Sequence, residues 1–230
     1  MLHCKIWDFL VLQEAQLLQV LLSQGLVQQD PVGKTYRPGL GMYSLATTIL
    51  HRTSFIQIAR AIMRELVENS GESTCLNLLD RDRGVFSVAA VEESAAQLQY
   101  VIETGQFHPL HAGASGRAIL AFQPDAFIDS VLTTALAAVT DQTLTDPALL
   151  RTQLVKIRAT GYCVSAGERI AGAVGIAAPL RDSHGYATGS VQLTIPTHRF
   201  RQRDVARLSV SVMDAAQRIS DAALALGHAH

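Results

Sequence analysis

Two neighbouring segments, residues 172–180 and 187–195, each alternate between two kinds of side chain. One set is aliphatic and comprises Val174, Ile176, Ala178, Val191, Leu193 and Ile195. The other set is small in the first segment and polar in the second: Ala173, Gly175, Ala177, Ser190, Gln192 and Thr194. Because successive side chains of a strand point to opposite faces, the segments predict two antiparallel strands joined at Arg181–Tyr186. Their aliphatic face requires cover from other elements.

The second face of this strand pair has two interpretations. Small residues leave volume, and Gln and Thr side chains offer donors and acceptors, which together suit a small polar ligand. Alternatively, the polar row faces solvent, as one side of many antiparallel sheets does. The loop His108–Arg117 favours the ligand, because the helix predicted to begin at Gly116 presents unpaired N–H groups that suit a carboxylate or phosphate. We therefore expect Gln192→Leu and Thr194→Val to weaken ligand binding and to leave the melting temperature of the free protein nearly unchanged.

Residues 53–230 predict one α/β (α+β) domain in which helices lie before, between and after antiparallel strands. The predicted helices cover about 54–68, a short segment from Gly116, the segment from Asp146-Pro147 to Gly161, and 202–224. The predicted strands cover 73–79, 85–91, about 98–103, 162–168, 172–180 and 187–195.

Residues 1–39 predict the back half of a winged helix-turn-helix. A helix over 11–23 precedes two short strands, which flank Asp30–Lys34, and the Asp, Pro and Gly positions there fit a type I turn. Residues 40–52 predict a linking helix with more apolar surface than one small domain covers. Because exposed stripes of this kind mark self-association, we expect a homodimer or tetramer.

Composition argues against several classes of protein. With 48% apolar and 17% charged residues, the chain has the hydrophobicity for a core that a disordered chain lacks. The uncharged run Ala15–Gln29 is too short and too polar to span a bilayer, and no leader pattern opens the sequence. These features predict a cytoplasmic protein without membrane contact. No P-loop or dinucleotide fingerprint is present, so no cofactor is expected.

Candidate catalytic and metal-binding residues are sparse. His108 and His111 have no third ligand at metal spacing, which favours structural or hydrogen-bonding roles over zinc. Cys163 lies near Glu168 without an evident base, which favours a buried structural cysteine over a nucleophile. The basic stretch 198–203 is followed by an acid, Asp204, and fits a solvated helix start or a subunit contact better than a nucleic-acid patch.

Six segments, taken in their order and spacing, resemble the IclR family of bacterial transcription regulators: LLQVLLSQGLVQQDPVGKTYRPGLGMYSLA, ELVENSGESTCLNLLD, PLHAGASGRAILA, KIRATGYCVSAGE, GIAAPLRDSHG and QLTIPTHRF. The resemblance covers roughly Leu12 to Gly227. It implies a GAF-like effector-binding domain over 53–230, a partial winged helix-turn-helix over 1–39 and a linker helix over 40–52. It also implies dimers that often pair into tetramers.

The resemblance further implies that the C-terminal domain binds a small organic acid. Carried over by position, the contacts of such an effector fall on Tyr100, His108, Ala114, Ser115, Ser165, Ala173, Gly175, Gln192 and Thr194. Gly175 stands where a cysteine is common, and Ser165 where some members have an acid. Arg117 replaces a common lysine. The chemical identity of the effector therefore does not carry over.

DNA recognition is expected near residues 11–23, with Gln13, Gln16 and Lys34 as the candidate contacts. Members of the family often have Ser, Thr and Arg facing DNA at positions that here read Leu12–Gln16. Residues 1–50 contain three basic and three acidic side chains, and DNA affinity draws heavily on neutralised phosphates. We therefore expect weak DNA binding by this segment as it stands.

Three functions remain open from the sequence. The leading one is a ligand-responsive transcription regulator whose partners are operator DNA and a small organic acid. The alternative is a stand-alone small-molecule sensor or dimerisation partner that has lost DNA binding. An enzyme acting on a small acid through Cys163 or His111 is disfavoured, because no catalytic constellation accompanies either residue.

Overall fold

The computed structural model of the 230-residue chain describes residues 16–30, 35–52, 54–95, 100 and 102–226, with the backbone alone for 47–52 and 54. The chain divides into two compact units, Met1–Ser54 and Phe55–His230. Within the described residues, no helix is both long enough and apolar enough to cross a bilayer.

The first unit contains a helix, a hairpin and a second helix. Helix α1 covers residues 16–23, and strands β1 (Val27–Gln29) and β2 (Tyr36–Pro38) pair antiparallel. Helix α2 spans Leu40–Arg52. The Gly39 N–H donates to the Leu26 carbonyl at 2.8 Å, which ties the end of the hairpin to its beginning. The predicted order of helix, hairpin and helix is confirmed, while 11–15 and the turn residues 31–34 lie outside the described part.

The second unit alternates helices with the strands of one sheet. Its helices are α3 (Ser54–Ser70), α4 (Gly113–Leu120), α5 (Asp125–Leu132), α6 (Pro147–Thr160) and α7 (Val205–Ala225), the last preceded by a 3-10 turn at Gln202–Asp204. Its strands are β3 (Ser73–Asp80), β4 (Val85–Glu92), β5 (Phe107–Pro109), β6 (Cys163–Ala166), β7 (Ala173–Arg181) and β8 (Ala187–Pro196). The predicted α+β class is confirmed.

The six strands form one antiparallel sheet in the order β5-β4-β3-β8-β7-β6. Strand β8 lies at the centre, between β3 and β7, and its register places Gln192 opposite Cys75 on one side. On the other side Thr194 lies opposite Gly175. Residues more than a hundred positions apart in sequence thus meet across one strand.

The aliphatic face of the sheet packs against α3 and α7. All six aliphatic residues predicted for this face belong to one buried cluster, together with side chains of both helices such as Phe55, Met63, Val212 and Ile219. Helix α3 presents its apolar residues at the predicted spacing, because Phe55, Ala59, Ile62 and Leu66 are all buried. The prediction of a covered aliphatic face is confirmed.

The opposite face of the sheet is covered by α4, α5 and α6, so the domain has three layers. A second buried cluster joins Ala177 and Cys163 of the sheet to residues of these helices, including Ala118, Ile128 and Leu154. Ser190, Gln192 and Thr194 are 0%, 3% and 4% exposed. The interpretation of the polar row as a solvent-facing sheet surface is therefore wrong.

The largest differences from the sequence predictions concern β5, α4, α5 and β6. Positions 100, 102 and 103 are not in a strand, and the short strand β5 instead lies at Phe107–Pro109, overlapping the start of the predicted loop His108–Arg117. Helix α4 begins at Gly113 instead of Gly116. Helix α5 was not predicted, and β6 is shorter than 162–168. Helix α6 begins as predicted, because the Asp146 carboxylate accepts the Ala148 and Leu149 N–H groups and Pro147 occupies the first turn.

Candidate functional site

Helix α4 begins directly over the polar row of β7 and β8. All eight of its residues are buried, and Ala112, which precedes it, provides no side-chain cap. In the described part of the chain, neither Gly113 nor Ala114 donates its backbone N–H to a hydrogen bond. The first turn therefore presents free donors and the positive end of the helix dipole toward the sheet.

A chain of buried hydrogen bonds links α4 to strands β3 and β8. Asn77 Nδ2 donates to Ser115 Oγ at 2.9 Å, and Ser115 donates to Gln192 Oε1 through its hydroxyl at 2.5 Å and its N–H at 3.2 Å. Gln192 Nε2 then donates to Thr194 Oγ1 at 2.9 Å. The Thr194 hydroxyl lies 3.9 Å from the Cys75 thiol, a weak partner, so its proton remains available for a ligand oxygen.

This network changes the expectation for Gln192→Leu and Thr194→Val. Both side chains satisfy buried groups of the free protein, because Gln192 accepts both Ser115 donors and Thr194 accepts the Gln192 amide. Removal of a buried partner costs about 1–3 kcal/mol when the remaining group stays unsatisfied. The expectation of an unchanged melting temperature does not fit this geometry.

Gly175 permits close approach of two neighbours. A Cβ atom at this position would lie 3.0 Å from the Ala114 Cβ and 3.2 Å from the Gln192 side-chain amide. The space that the sequence assigned to a ligand at Gly175 is thus occupied by Gln192 and α4. The absence of a side chain at Gly175 instead allows the Gln192 amide to lie flat against β7 and reach Ser115.

A small cavity of about 20 Å³ lies between α4, β6, β7, β8 and the loop Gly167–Gly172. Its volume holds about one water molecule. The lining residues are Gly113, Ala114, Ser165, Arg169, Ile170, Ala173, Gly175, Gln192 and Thr194. Six of the nine residues predicted to contact an effector are therefore brought together here.

The other three predicted residues are not among those that line this cavity. Ser115 lies behind Gln192 in the buried network. The Tyr100 hydroxyl lies beside Gly172, where it would be 2.7 Å from a Cβ atom, at the end of the loop that borders the cavity. His108 stacks on Phe86 with the ring centroids 5.3 Å apart. Whether any of the nine contacts a ligand stays a prediction.

Arg169 lines the cavity, and the sequence analysis did not single it out. Its aliphatic part lies against Gly113, and its guanidinium lies 5.9 Å from the centre of the Phe86 ring. Nη2 is buried and has no hydrogen-bond partner among the described residues. The only signal in sequence was a charged residue in a glycine-bounded loop, GERIAG, which is also typical of a solvent-exposed turn.

Among the described residues that line the cavity, no acidic side chain balances the charge of Arg169. Burial raises the pKa of the Cys75 thiol, which therefore stays neutral near pH 7 despite the nearby guanidinium. Burial and the charge of Arg169 lower the pKa of His108, which favours its neutral form. No acidic residue of the described chain lines the cavity. The cavity is consequently electropositive.

Glu168, next to Arg169, turns away from the cavity. Its carboxylate accepts a hydrogen bond from Arg117 Nη2 at 2.6 Å, and Arg117 also contacts Gln153 of α6. The Gly167 carbonyl accepts the Thr140 hydroxyl at 2.7 Å, and the Glu168 carbonyl accepts the Thr143 hydroxyl at 2.7 Å. These contacts fix the loop that carries Arg169.

The other residues that the sequence analysis considered for catalysis, metal binding or nucleic-acid binding lie in surroundings that favour a structural role. Burial raises the pKa of the Cys163 thiol to about 11, so it is a poor nucleophile. His111 is buried and its Nε2 lies 2.9 Å from the Ala137 carbonyl. No group of three or more metal-ligating side chains occurs among the described residues. In the stretch 198–203, Arg199 pairs with Glu72.

The predicted DNA contacts are only partly described. Gln16 is exposed at the start of the described part of α1, and Gln13 and Lys34 lie outside it. The DNA-contact assignment stays a prediction.

Comparisons with known proteins identify the family. The family model described as the bacterial transcriptional regulator IclR C-terminal domain matches residues 47–221. The chain belongs to the IclR family. The HTH-type transcriptional regulator BhcR of Paracoccus denitrificans is 31% identical over 206 residues, which cover 89% of this chain and 73% of that protein. The resemblance stated from the sequence is confirmed.

Solved IclR structures share the fold. The crystal structure of an IclR transcriptional regulator from a Silicibacter species has a TM-score of 0.82 and 27% identity, covering 90% of this chain and 82% of that one. An IclR homologue from Microbacterium hydrocarbonoxydans, solved in complex with 4-hydroxybenzoate, has a TM-score of 0.75 and 22% identity over 91% and 84% of the two chains. The protein is an IclR-type transcription regulator, and its relatives are named regulators or repressors.

Proposed function

We propose that this IclR regulator responds to a small organic acid that binds in the cavity beneath α4. The supporting observation is the composition of the cavity wall: Gly113 and Ala114, whose N–H groups have no partner among the described residues, line it together with Thr194 and Arg169, and no described acidic residue does. A carboxylate oxygen accepts hydrogen bonds from all of these donors. The bound acid of the Microbacterium homologue is consistent with an effector of this class.

A thermal-shift and calorimetry screen tests the proposal. Formate, acetate, pyruvate, succinate, benzoate and 4-hydroxybenzoate are titrated at constant ionic strength, with the matching primary amides as controls. A ligand that binds only the native state stabilises it by about 2.7 kcal/mol at one hundred times its dissociation constant, which raises the melting temperature by several degrees. If every acid behaves like sodium chloride, the effector assignment is wrong.

The size of the cavity also predicts which acids in this screen stabilise the protein most. Because about 20 Å³ holds only one water molecule, acids of a few heavy atoms enter with less rearrangement than aromatic acids. Formate, acetate and pyruvate are expected to stabilise the protein more than benzoate or 4-hydroxybenzoate does at equal concentration. The opposite ranking would show that the loop Gly167–Gly172 opens to admit a larger ligand.

We also propose that the protein acts in the cytoplasm on operator DNA as a homodimer or tetramer. Helix α2 carries exposed apolar side chains at Leu40, Tyr43 and Leu45, with 73%, 69% and 54% exposure, which favours self-association through this helix. Light scattering that gives the monomer mass at tens of micromolar would contradict the oligomer. A mobility-shift assay at several salt concentrations distinguishes a DNA-binding regulator from the alternative, a stand-alone sensor, because phosphate contacts make binding salt-sensitive.

A further inference from the structure

The buried guanidinium nitrogen of Arg169 is the least satisfied charged group beside the cavity. Nη2 is buried, and no described residue makes a hydrogen bond or an ion pair with the Arg169 side chain. The Arg169 side chain is half-buried, and a buried polar nitrogen without a partner is unfavourable, so native proteins pair such groups or hold them for a ligand. Arg169 is not among the nine positions that the family resemblance assigns to effector contacts.

The neighbouring groups show why this charge is not balanced from within the protein. Glu168 is adjacent in sequence, but its carboxylate is directed at Arg117 of α4 with an N–O distance of 2.6 Å. The Cys75 thiol is neutral, and His108 can only add positive charge. The contacts of the loop with Thr140 and Thr143 hold Arg169 on the cavity side.

We propose that Arg169 is the residue that confers carboxylate specificity on this site, its guanidinium binding the effector carboxylate between the first turn of α4 and Thr194. The inference rests on the proposed function and adds the source of the charge recognition. A planar guanidinium matches both oxygens of a carboxylate, whereas the free N–H groups and the Thr194 hydroxyl also accept neutral oxygens. Without Arg169, the site retains hydrogen bonding and loses its preference for an anion.

The experiment compares Arg169→Gln and Arg169→Lys with the parent protein, using pairs of a carboxylate and its primary amide: acetate with acetamide, pyruvate with pyruvamide, and benzoate with benzamide. The parent is expected to bind its preferred acid at least about tenfold more tightly than the amide, because hydrogen bonds to charged groups are the stronger ones. Arg169→Gln is expected to bind acid and amide equally. Arg169→Lys keeps the charge without the planar fork and is expected to retain part of the preference.

The stability of the free protein separates recognition from a structural role. If Arg169 is held for a ligand, Arg169→Gln removes an uncompensated charge, and the melting temperature of the free protein stays equal or rises. Arg207→Gln is the matched control, because it removes one exposed positive charge from α7, on the opposite side of the sheet. The affinity of Arg207→Gln for the preferred acid, and the ratio of its affinities for acid and amide, are expected to equal those of the parent.

The remaining outcomes distinguish a failure of the proposed function from a failure of the role proposed for Arg169. If no acid binds the parent, the proposed function fails. If acids bind the parent and Arg169→Gln with equal affinity, the site stands and the role of Arg169 is overturned. A large loss of stability in both Arg169→Gln and Arg169→Lys would also overturn it, because it would show that the guanidinium supports the fold.

Discussion

The two faces of the central sheet differ in what they bury. The face under α3 and α7 is continuous aliphatic packing, whereas the face under α4 buries Asn77, Ser115, Gln192 and Thr194 in one hydrogen-bonded chain beside an electropositive cavity. Both faces come from the same strands, because alternate residues of β7 and β8 supply each of them. The comparison predicts that the aliphatic face contributes to stability alone, whereas the polar face contributes to both stability and the proposed ligand binding.

The largest expected effect is on the aliphatic face. Leu193→Ala deletes a fully buried side chain and is expected to cost about 2–5 kcal/mol of unfolding free energy by denaturant titration. Val210→Ala on the exposed side of α7 is the control and should change stability by less than about 0.5 kcal/mol. The acid response of Leu193→Ala should persist below its melting temperature. Loss of that response with the fold intact would show that the two faces are not separate.

A change in the polar network should affect both stability and binding. Gln192→Leu leaves both Ser115 donors without their acceptor, with an expected cost of about 1–3 kcal/mol, and it is expected to weaken the acid response. Thr188→Val, on the same strand at a half-buried position, is the control. A melting temperature equal to that of the parent would mean that the network adds nothing to stability.

Filling the space at Gly175 tests the packing beside the cavity. Gly175→Cys places a side chain against Ala114 and the Gln192 amide, with an expected cost of about 1–3 kcal/mol from overpacking. The double variant Gly175→Cys/Gln192→Ser shortens the obstructing side chain and should recover part of that loss. A double-mutant cycle measures the coupling. Additive effects would contradict direct competition between the two side chains.

The smallest expected effect is a pH dependence from His108. Its pKa is lowered in the folded protein by burial and by Arg169, so the unfolded chain binds a proton first as the pH falls below about 6.5. Stability is therefore present above that pH and is lost as the pH falls toward the folded pKa. His108→Gln should remove this loss. A bound carboxylate, by offsetting the charge of Arg169, should reduce it in the parent.

Much of the second unit followed from local patterns. The strands β3, β4, β7 and β8 and the helices α3, α6 and α7 have strong periodicity or clear end signals, such as Asp146-Pro147 before α6 and a glycine after it. The segments of the third predicted strand and of α5 lack such signals. The strand was therefore predicted wrongly at its described positions, and α5 was not predicted. The start of α4 was placed three residues late, because Gly113 has a low intrinsic helix propensity and Ser115 favours caps, and packing over the sheet overrides those preferences.

The sequence by itself determined the family, the two faces of β7 and β8 and the set of small and polar residues that surround the cavity, because periodicity and motif spacing are local properties. Only the tertiary structure decided that the polar row is buried, that Gln192 occupies the space over Gly175, and that Arg169 lines the cavity without a hydrogen-bond or ion-pair partner among the described residues. These facts depend on the position of α4 and of the Gly167–Gly172 loop over the sheet. Contacts between segments so distant in sequence leave no local pattern, which is the physical reason that the charge of the site appears only in the folded chain.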